Sequence, residues 1–205
     1  MKVCYIVGAG EFYGMLSPAQ TDLVIAADGG LDTLNSLGVR CDLLVGDMDS
    51  LTGRKGEIEL IKYPVEKDET DMHLAYLEGL KRGYENFVLY GGVGGREDHT
   101  FANYSLLLYA KLHGHNMKLI SKNREVFVIK DEKIDLMGTT GDTLSVFAIG
   151  GIAQGVTIRG AKYETEGATL TPDFPLGVSN EFSGESVSLS VKDGALLVMH
   201  AKEMT

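Results

Sequence analysis

The feature that most constrains the fold is an alternation of strand-like and helix-like segments in the first half of the chain. Short apolar runs at residues 3–7 (VCYIV), 23–27 (LVIAA), 43–45 (LLV) and 87–90 (FVLY) each stop at a glycine or an Asp-Gly pair. Segments with helical spacing of leucines lie between them. Such alternation predicts a parallel sheet with helices on both faces, and a ligand crevice at the carboxyl ends of the strands.

Two longer helices are predicted in this half. Residues 70–83 carry leucines at 74, 77 and 80, which mark one helical face. A second helix begins at Asp98 and ends before Gly114, with an amphipathic pattern formed by Phe101, Tyr104, Ser105, Leu108 and Leu112. One more strand, at residues 117–121 (MKLIS), follows.

The pattern changes near residue 125. From there on short β-rich runs dominate, namely VFVI, TLSVFAI, GVTIRG, SVSLSV and ALLVMH, and turn residues separate them. Closely spaced antiparallel strands of this kind predict a small sandwich or barrel. The predicted fold class is therefore α/β, with an N-terminal parallel sheet flanked by helices at residues 1–124 and a C-terminal all-β sandwich at residues 125–205.

Composition narrows the classes of partner. Hydrophobic residues make up 44% and charged residues 23% of the 205, as in an ordinary globular chain. A net charge of -10 argues against nucleic acid, and no apolar run approaches the roughly 20 residues of a membrane helix. The start of the chain does not read as a signal peptide, and two cysteines in strand-like settings favour a reducing cytoplasm over a disulfide framework.

Glycines after the first strand imitate a dinucleotide motif. Gly8, Gly10 and Gly14 are followed by Asp28 at the end of the second strand. Their spacing is GxGxxxG rather than GxGxxG, and no clear helix start follows. The sequence favours a tight turn here over a nicotinamide site.

Acidic motifs at the predicted strand ends carry more information. Asp47 and Asp49 lie in GDMDS, and Asp71 lies in DETD at a helix start, where Thr70 or Asp68 can cap the free amides. Carboxylates gathered at one sheet edge repel each other by several kcal/mol, about 4 for a pair at 4 Å, unless a cation joins them. Oxygen ligands without a His/Cys cluster predict Mg²⁺ or Mn²⁺ rather than zinc, and magnesium in turn indicates phosphates.

The segment GGVGGRED, residues 91–98, supplies the second half of a phosphate site. Its glycines let backbone amides approach an anion, and Arg96 can bind phosphate oxygens with two nitrogens. A flexible loop capped by Asp98 is the simpler alternative. In the second half, Ser179 and Asn180 of GVSNEF favour a β-turn when judged from the residues alone.

Taken together, six motifs resemble those of the bacterial thiamine pyrophosphokinases. They are ADGG (residues 27–30), GDMDS (46–50), DETD (68–71), GGVGGREDH (91–99), GAKYE (160–164) and GVSNEF (177–182). The resemblance covers nearly the whole chain and implies an α/β domain followed by a β-sandwich. It also implies a cytoplasmic homodimer with its active site between the catalytic domain of one chain and the β-domain of the other. The implied reaction transfers the diphosphate of ATP to thiamine with Mg²⁺.

The resemblance also assigns roles to residues. Asp47, Asp49 and Asp71 would organise the metal, and the catalytic set would be Asp71, Asp98, Arg96 and Thr70. Asp98, Ser179 and Asn180 would contact thiamine. The nucleotide would bind at Asp28, Gly29, Gly46, Asp47, Ser50, Gly92 and Arg96.

In the expected mechanism the thiamine hydroxyl attacks the β-phosphorus of ATP in line, with Asp98 accepting or orienting its proton and Asp71 as the second choice for that role. Two other functions remain open from the sequence. The DMDS segment also resembles the loop of aspartyl phosphatases and phosphotransferases, in which Asp47 would be the nucleophile and Asp49 the acid. A non-catalytic nucleotide or thiamine sensor would bind the same ligands without turnover.

Overall fold

The first half of the chain forms a parallel sheet, as its alternating pattern predicted. In the computed structural model, which describes residues 2–46, 58–63, 66 and 68–201, the strands pair in the order β6-β5-β1-β2-β3-β4 and every neighbouring pair is parallel. The strands are β1 (Cys4–Val7), β2 (Leu23–Ala27), β3 (Leu43–Gly46), β4 (Glu59–Lys62), β5 (Asn86–Tyr90) and β6 (Asn116–Ser121).

Strand order fixes where a ligand crevice can open. From β1 the chain adds β2, β3 and β4 on one side and then places β5 on the other side of β1. The loops that follow β1 and β5 therefore leave the sheet at a topological switch point, where open α/β sheets bind their ligands.

Within the described residues, three helices accompany the sheet: α1 (Gly30–Leu37), α2 (Asp71–Lys81) and α3 (Glu97–Leu112). The sequence predicted α2 and α3 within two residues at each end, but their buried faces match the predicted ones only in part, as Leu74 of α2 does. In α2 the most buried apolar residues include Ala75 and Tyr76 rather than Leu77 and Leu80. In α3 the predicted stripe is partly outward, because helix positions 106–108 are all leucine and allow more than one apolar face. Phe101 is 73% and Leu112 is 55% exposed.

The second half forms two antiparallel sets of strands around one apolar core, which confirms the predicted fold class. Their orders are β12-β9-β14-β7 and β11-β10-β13-β8. The strands are β7 (Arg124–Lys130), β8 (Lys133–Met137), β9 (Thr143–Ala148), β10 (Ala153–Arg159), β11 (Thr165–Leu170), β12 (Asn180–Glu181), β13 (Ser186–Ser190) and β14 (Ala195–Ala201).

The chain divides into two units. The first contains the described residues up to Leu106 together with His115–Lys122, and the second contains Leu107–Gly114 and the described residues from Asn123 onward. Helix α3 thus contributes residues to both units. Within the described ranges, no helix combines the length and apolar character needed to span a membrane.

A buried carboxylate joins α2 to the edge strand β4. Glu78 is 3% exposed, and its carboxylate accepts hydrogen bonds from Lys81 at 2.6 Å, Arg82 at 2.6 Å and the Tyr63 hydroxyl at 2.7 Å. Arg82 also pairs with Glu59 of β4 at 2.6 Å. Burial alone would raise the pKa of Glu78, but the hydrogen bonds outweigh it and hold the pKa at about 2 instead of 4.5.

This lowered pKa predicts a specific loss of stability in acid. The folded protein binds the Glu78 proton more weakly than the unfolded chain, so the contribution is complete above about pH 5 and is lost as the pH falls toward about 2. In urea unfolding between pH 6 and pH 3, we expect the difference in unfolding free energy between wild type and Glu78→Gln to shrink steadily as the pH falls. A difference that stays constant across this range would contradict the assignment.

Candidate functional site

A cleft of about 370 Å³ opens at the switch point of the parallel sheet. It lies at the carboxyl ends of β1, β2 and β5 and at the N-termini of α2 and α3. Its lining residues are Gly8, Ala9, Gly10, Ala27, Asp28, Thr70, Asp71, Met72, Gly91, Gly92, Val93, Gly95, Arg96, His99, Thr100 and Asn103. Motifs that are far apart in the sequence therefore meet around one space within the first unit.

The loops after β1 and β5 interlock, and glycine makes this possible. The Gly10 N–H donates to the Gly91 carbonyl at 2.9 Å, and a Cβ on Gly10 would lie 2.4 Å from the Val93 oxygen. Gly91 has φ +61°, and a Cβ there would lie 2.3 Å from the Gly8 oxygen. No helix follows Gly10 in the described segment up to residue 22. The glycines of the GxGxxxG segment thus allow close packing of two backbones, in keeping with a tight turn and not with a dinucleotide motif.

Two acidic residues, Asp28 and Asp71, line the cleft. Asp28 follows β2 with φ +48°, a conformation that costs a non-glycine residue about 1 kcal/mol. Asp71 is the first residue of α2, and the Thr70 hydroxyl caps this helix by accepting a hydrogen bond from the His73 N–H at 3.2 Å. The structure therefore brings together Asp28, Thr70 and Asp71, as the sequence predicted.

The metal candidates Asp47 and Asp49 lie outside the described residues. The nucleotide-binding candidate Ser50 also lies outside them. Gly46, which leads into their motif, is described, and a Cβ on it would lie 3.3 Å from the Asp28 Cα. Gly29 packs against Ala9, because a Cβ added to Gly29 would lie 3.1 Å from the Ala9 Cβ. Among the described residues, no group of three His, Cys, Asp or Glu side chains is placed to hold a metal ion.

Arg96 and Asp98 form an exposed ion pair at the start of α3. Arg96 Nη2 lies 2.6 Å from Asp98 Oδ2, and Nε lies 3.1 Å from Oδ1. The side chains are 73% and 63% exposed, respectively. The hydrogen bond from Arg96 lowers the pKa of Asp98. Arg96 lines the cleft that the described residues form. Asp98 is not among the residues that line it.

Sequence reasoning missed Asn103. This residue lies 4% exposed on α3, and its Nδ2 donates to the Gly92 carbonyl at 2.8 Å. Helical spacing could have indicated it, because Arg96, His99, Thr100 and Asn103 follow the i, i+3, i+4, i+7 pattern of one helix face.

The second unit contains a separate cavity of about 430 Å³. Most of its lining is apolar, including Val146, Ile158 and Leu170, and Tyr163 and Glu164 contribute to it as well. A hydrogen bond from the Gly160 N–H, together with the Arg159 side chain, lowers the pKa of Glu164. The cavity therefore combines apolar walls with one carboxylate, whose Oε2 also lies 3.3 Å from Arg159 Nη1.

Asn180 lines this cavity, but its side chain is occupied by the backbone of Tyr163. Its Oδ1 accepts from the Tyr163 N–H at 2.9 Å and its Nδ2 donates to the Tyr163 carbonyl at 2.8 Å. Ser179, with φ +59°, turns the main chain just before Asn180, and its N–H donates to the Ser145 hydroxyl at 3.1 Å. The side-chain amide of Asn180 thus supplies the two hydrogen bonds that hold the backbone of Tyr163 beside β12.

Comparison with protein families gives both units the same assignment. The model of the thiamin pyrophosphokinase catalytic domain matches residues 17–120, and that of the thiamin pyrophosphokinase vitamin B1 binding domain matches residues 128–196. The chain belongs to the thiamin pyrophosphokinase family. Thiamine pyrophosphokinase from Bacillus subtilis is 26% identical over 188 residues, which cover 88% of each chain.

Solved structures of thiamin pyrophosphokinases share the fold. That from Bacillus subtilis has a TM-score of 0.87 at 22% identity and covers 99% of this chain and 100% of its own. A thiamin pyrophosphokinase family protein from Enterococcus faecalis has a TM-score of 0.84 at 25% identity, with the same coverage. The enzyme from Candida albicans has a TM-score of 0.77 at 14% identity, covering 98% of this chain and 90% of its own. The family, fold class and enzyme class predicted from the motifs are confirmed.

Proposed function

We propose that this protein transfers the diphosphate of ATP to thiamine and releases thiamine diphosphate and AMP, with Mg²⁺ as cofactor. The observation that carries the proposal is the match of both units to thiamin pyrophosphokinase domains in their family order. The phosphatase and sensor alternatives draw no comparable support. A cytoplasmic location belongs to the same proposal, in keeping with two free cysteines.

Residues 1–124 would form the nucleotide-binding catalytic domain. Its cleft supports this role because glycine-rich backbone, the N-termini of two helices and Arg96 surround one space, all of which favour phosphate. Gly92 and Arg96 would contact the phosphates. Asp28, Gly29 and Gly46 would shape the adjacent wall.

The donor set at the cleft fits a magnesium ion. Asp71 and Asp28 present carboxylates to it, and Thr70 adds a hydroxyl. Oxygen donors of this kind suit Mg²⁺. In the proposal Asp71 holds the metal together with Asp47 and Asp49. When bound, the ion would neutralise charge on the phosphates.

The reaction itself needs positioning more than covalent chemistry. A bond forms between the thiamine hydroxyl oxygen and the β-phosphorus, and the bond from that phosphorus to the bridging oxygen of AMP breaks. The ion pair with Arg96 suits Asp98 to orienting the thiamine hydroxyl. Asp98 is the first candidate to take the hydroxyl proton, and Asp71, which the proposal places on the metal, is the second.

Residues 125–205 would form the thiamine-binding domain. The apolar cavity suits the two rings of thiamine, and the aromatic ring of Tyr163 suits its positive charge. Ser179 would face the substrate. The Asn180 amide, which is already hydrogen-bonded to the backbone of Tyr163, would hold Tyr163 in place.

A homodimer with the active site between chains completes the proposal. Apolar side chains are exposed in both units, including Phe101 in the first unit and Phe174, Leu176 and Val178 in the second. Contact between two copies would remove this apolar surface from water, which favours association.

The catalytic proposal has a direct test. ATP, thiamine and Mg²⁺ are incubated with the protein and separated by chromatography, and we expect AMP and thiamine diphosphate in equal amounts. A reaction without thiamine is the control. Release of ADP or phosphate in place of AMP would exclude the diphosphate transfer.

The shared active site has its own test by subunit mixing. Asp71→Asn alters the first unit, and Tyr163→Arg places a cation in the thiamine cavity of the second. If each site draws on two chains, equal mixing after subunit exchange should restore about a quarter of wild-type activity, because half the dimers are mixed and each has one intact site. A mixture that stays as inactive as its two components would contradict a site between chains. Sedimentation of labelled subunits confirms that the subunits have exchanged.

A further inference from the structure

Four consecutive carbonyl groups, at the end of β5 and in the loop after it, accept hydrogen bonds. Those of Tyr90, Gly91 and Val93 accept hydrogen bonds of 2.8 to 2.9 Å from backbone N–H groups of the loop after β1. That of Gly92 accepts from the Asn103 side chain at 2.8 Å. Asn103 is therefore the one side chain, among the described residues, that completes this set of four consecutive carbonyls.

Fixing these carbonyls also fixes the opposite ends of the same peptide groups. In a trans peptide the N–H points away from the C=O, so the N–H groups of Gly92 and Gly94 point away from the loop after β1, and the N–H of Val93 points away from Asn103. None of the three donates to a backbone carbonyl in the described part of the chain. Successive N–H groups of this kind bind anions.

Among the described residues, a side chain, that of Asn103, holds the Gly92 carbonyl, whereas backbone N–H groups hold the neighbouring carbonyls. Gly91 has φ +61° and Gly94 has φ +80°, so the loop contains residues that change conformation at low cost. Asn103 is buried, and a Cβ on Gly92 would lie 3.2 Å from its Nδ2. Without this donor, the Gly92 carbonyl would lose the hydrogen bond that fixes the orientation of its peptide.

We propose that Asn103 is a positioning residue that holds the Gly92 peptide so that the loop presents N–H groups to the phosphates of the nucleotide. The inference rests on the proposed function, in which this cleft binds ATP. It assigns Asn103 an effect on the phosphate part of the ligand and none on the nucleoside.

The test separates these two parts of the ligand. Asn103→Asp keeps the shape but loses the donor, and Asn103→Ala removes the side chain without adding charge. By isothermal titration or ligand-observed NMR, we expect both variants to bind ATP and inorganic triphosphate about tenfold or more weakly, as the loss of a charge-assisted hydrogen bond implies. Binding of adenosine should change by less than about twofold, because it carries no phosphate.

Leu106→Ala provides the matched control, since Leu106 is equally buried on α3 and does not line the cleft. It should lower the melting temperature and leave the ratio of triphosphate to adenosine affinity unchanged. Equal weakening of triphosphate and adenosine, or unchanged triphosphate affinity, in folded Asn103→Ala would overturn the inference alone. Failure of the wild-type protein to bind ATP would overturn the proposed function as well.

Discussion

Replacing Asp71 with Asn should lower kcat for AMP formation by about 100-fold or more, because the cleft loses a charge that would hold the metal at the phosphates. Asp71 lines the cleft at the first position of α2, and Asn has nearly the same shape. The folded structure should survive. The loss of a favourable charge at the helix N-terminus costs less than about 1 kcal/mol of unfolding free energy. Initial rates at saturating ATP and thiamine measure the effect.

Asp68→Asn is the matched control for this prediction. Asp68 belongs to the same acidic motif and is exposed, but it does not line the cleft formed by the described residues. Its kcat should stay within about twofold of wild type, as for a surface substitution away from the site. Turnover by Asp71→Asn at a similar level would remove the proposed metal role of Asp71.

Replacing Glu78 with Ala should lower the free energy of unfolding by about 3 kcal/mol, since it removes one partner of a buried ion-pair network. The side chain is 4% exposed and accepts three hydrogen bonds, so Lys81, Arg82 and Tyr63 all lose a partner. The loss should lie toward the lower end of the range for buried pairs, because Lys81 is 64% exposed and regains water. Urea unfolding at pH 7 provides the measurement.

Glu59→Gln distinguishes burial from charge pairing in this network. Glu59 binds the same arginine, Arg82, but its side chain is 60% exposed. Its replacement should cost less than about 1 kcal/mol, as is usual for exposed ion pairs. Comparable losses for Glu59→Gln and Glu78→Ala would show that burial of Glu78 does not set the size of the effect.

Central strands were predictable from the sequence, whereas edge strands were not. The predicted runs correspond to strands such as β1, β2, β5 and β14, which have neighbours on both sides and are strongly apolar. The strands that the pattern missed are β4, β8, β11 and β12, and each lies at an edge of its set. Edge strands carry charged residues that limit aggregation, so their alternation is weak.

The candidate site shows the same division. Acidic and glycine-rich motifs at strand ends were visible in the sequence, because loops at the carboxyl ends of parallel strands gather at one edge. The hydrogen bond from Asn103 to Gly92 and those of the Asn180 amide to Tyr163 were not, since each depends on a side chain that reaches a distant backbone group. Periodicity describes which face is apolar, but it contains no information on such partners.

The interlocked loops after β1 and β5 have a consequence for protein engineering. Because Gly8, Gly10 and Gly91 touch each other's backbone with no room for a β-carbon, neither loop can be lengthened or exchanged on its own. A graft from a homologous enzyme would have to carry both segments together, although some eighty residues separate them.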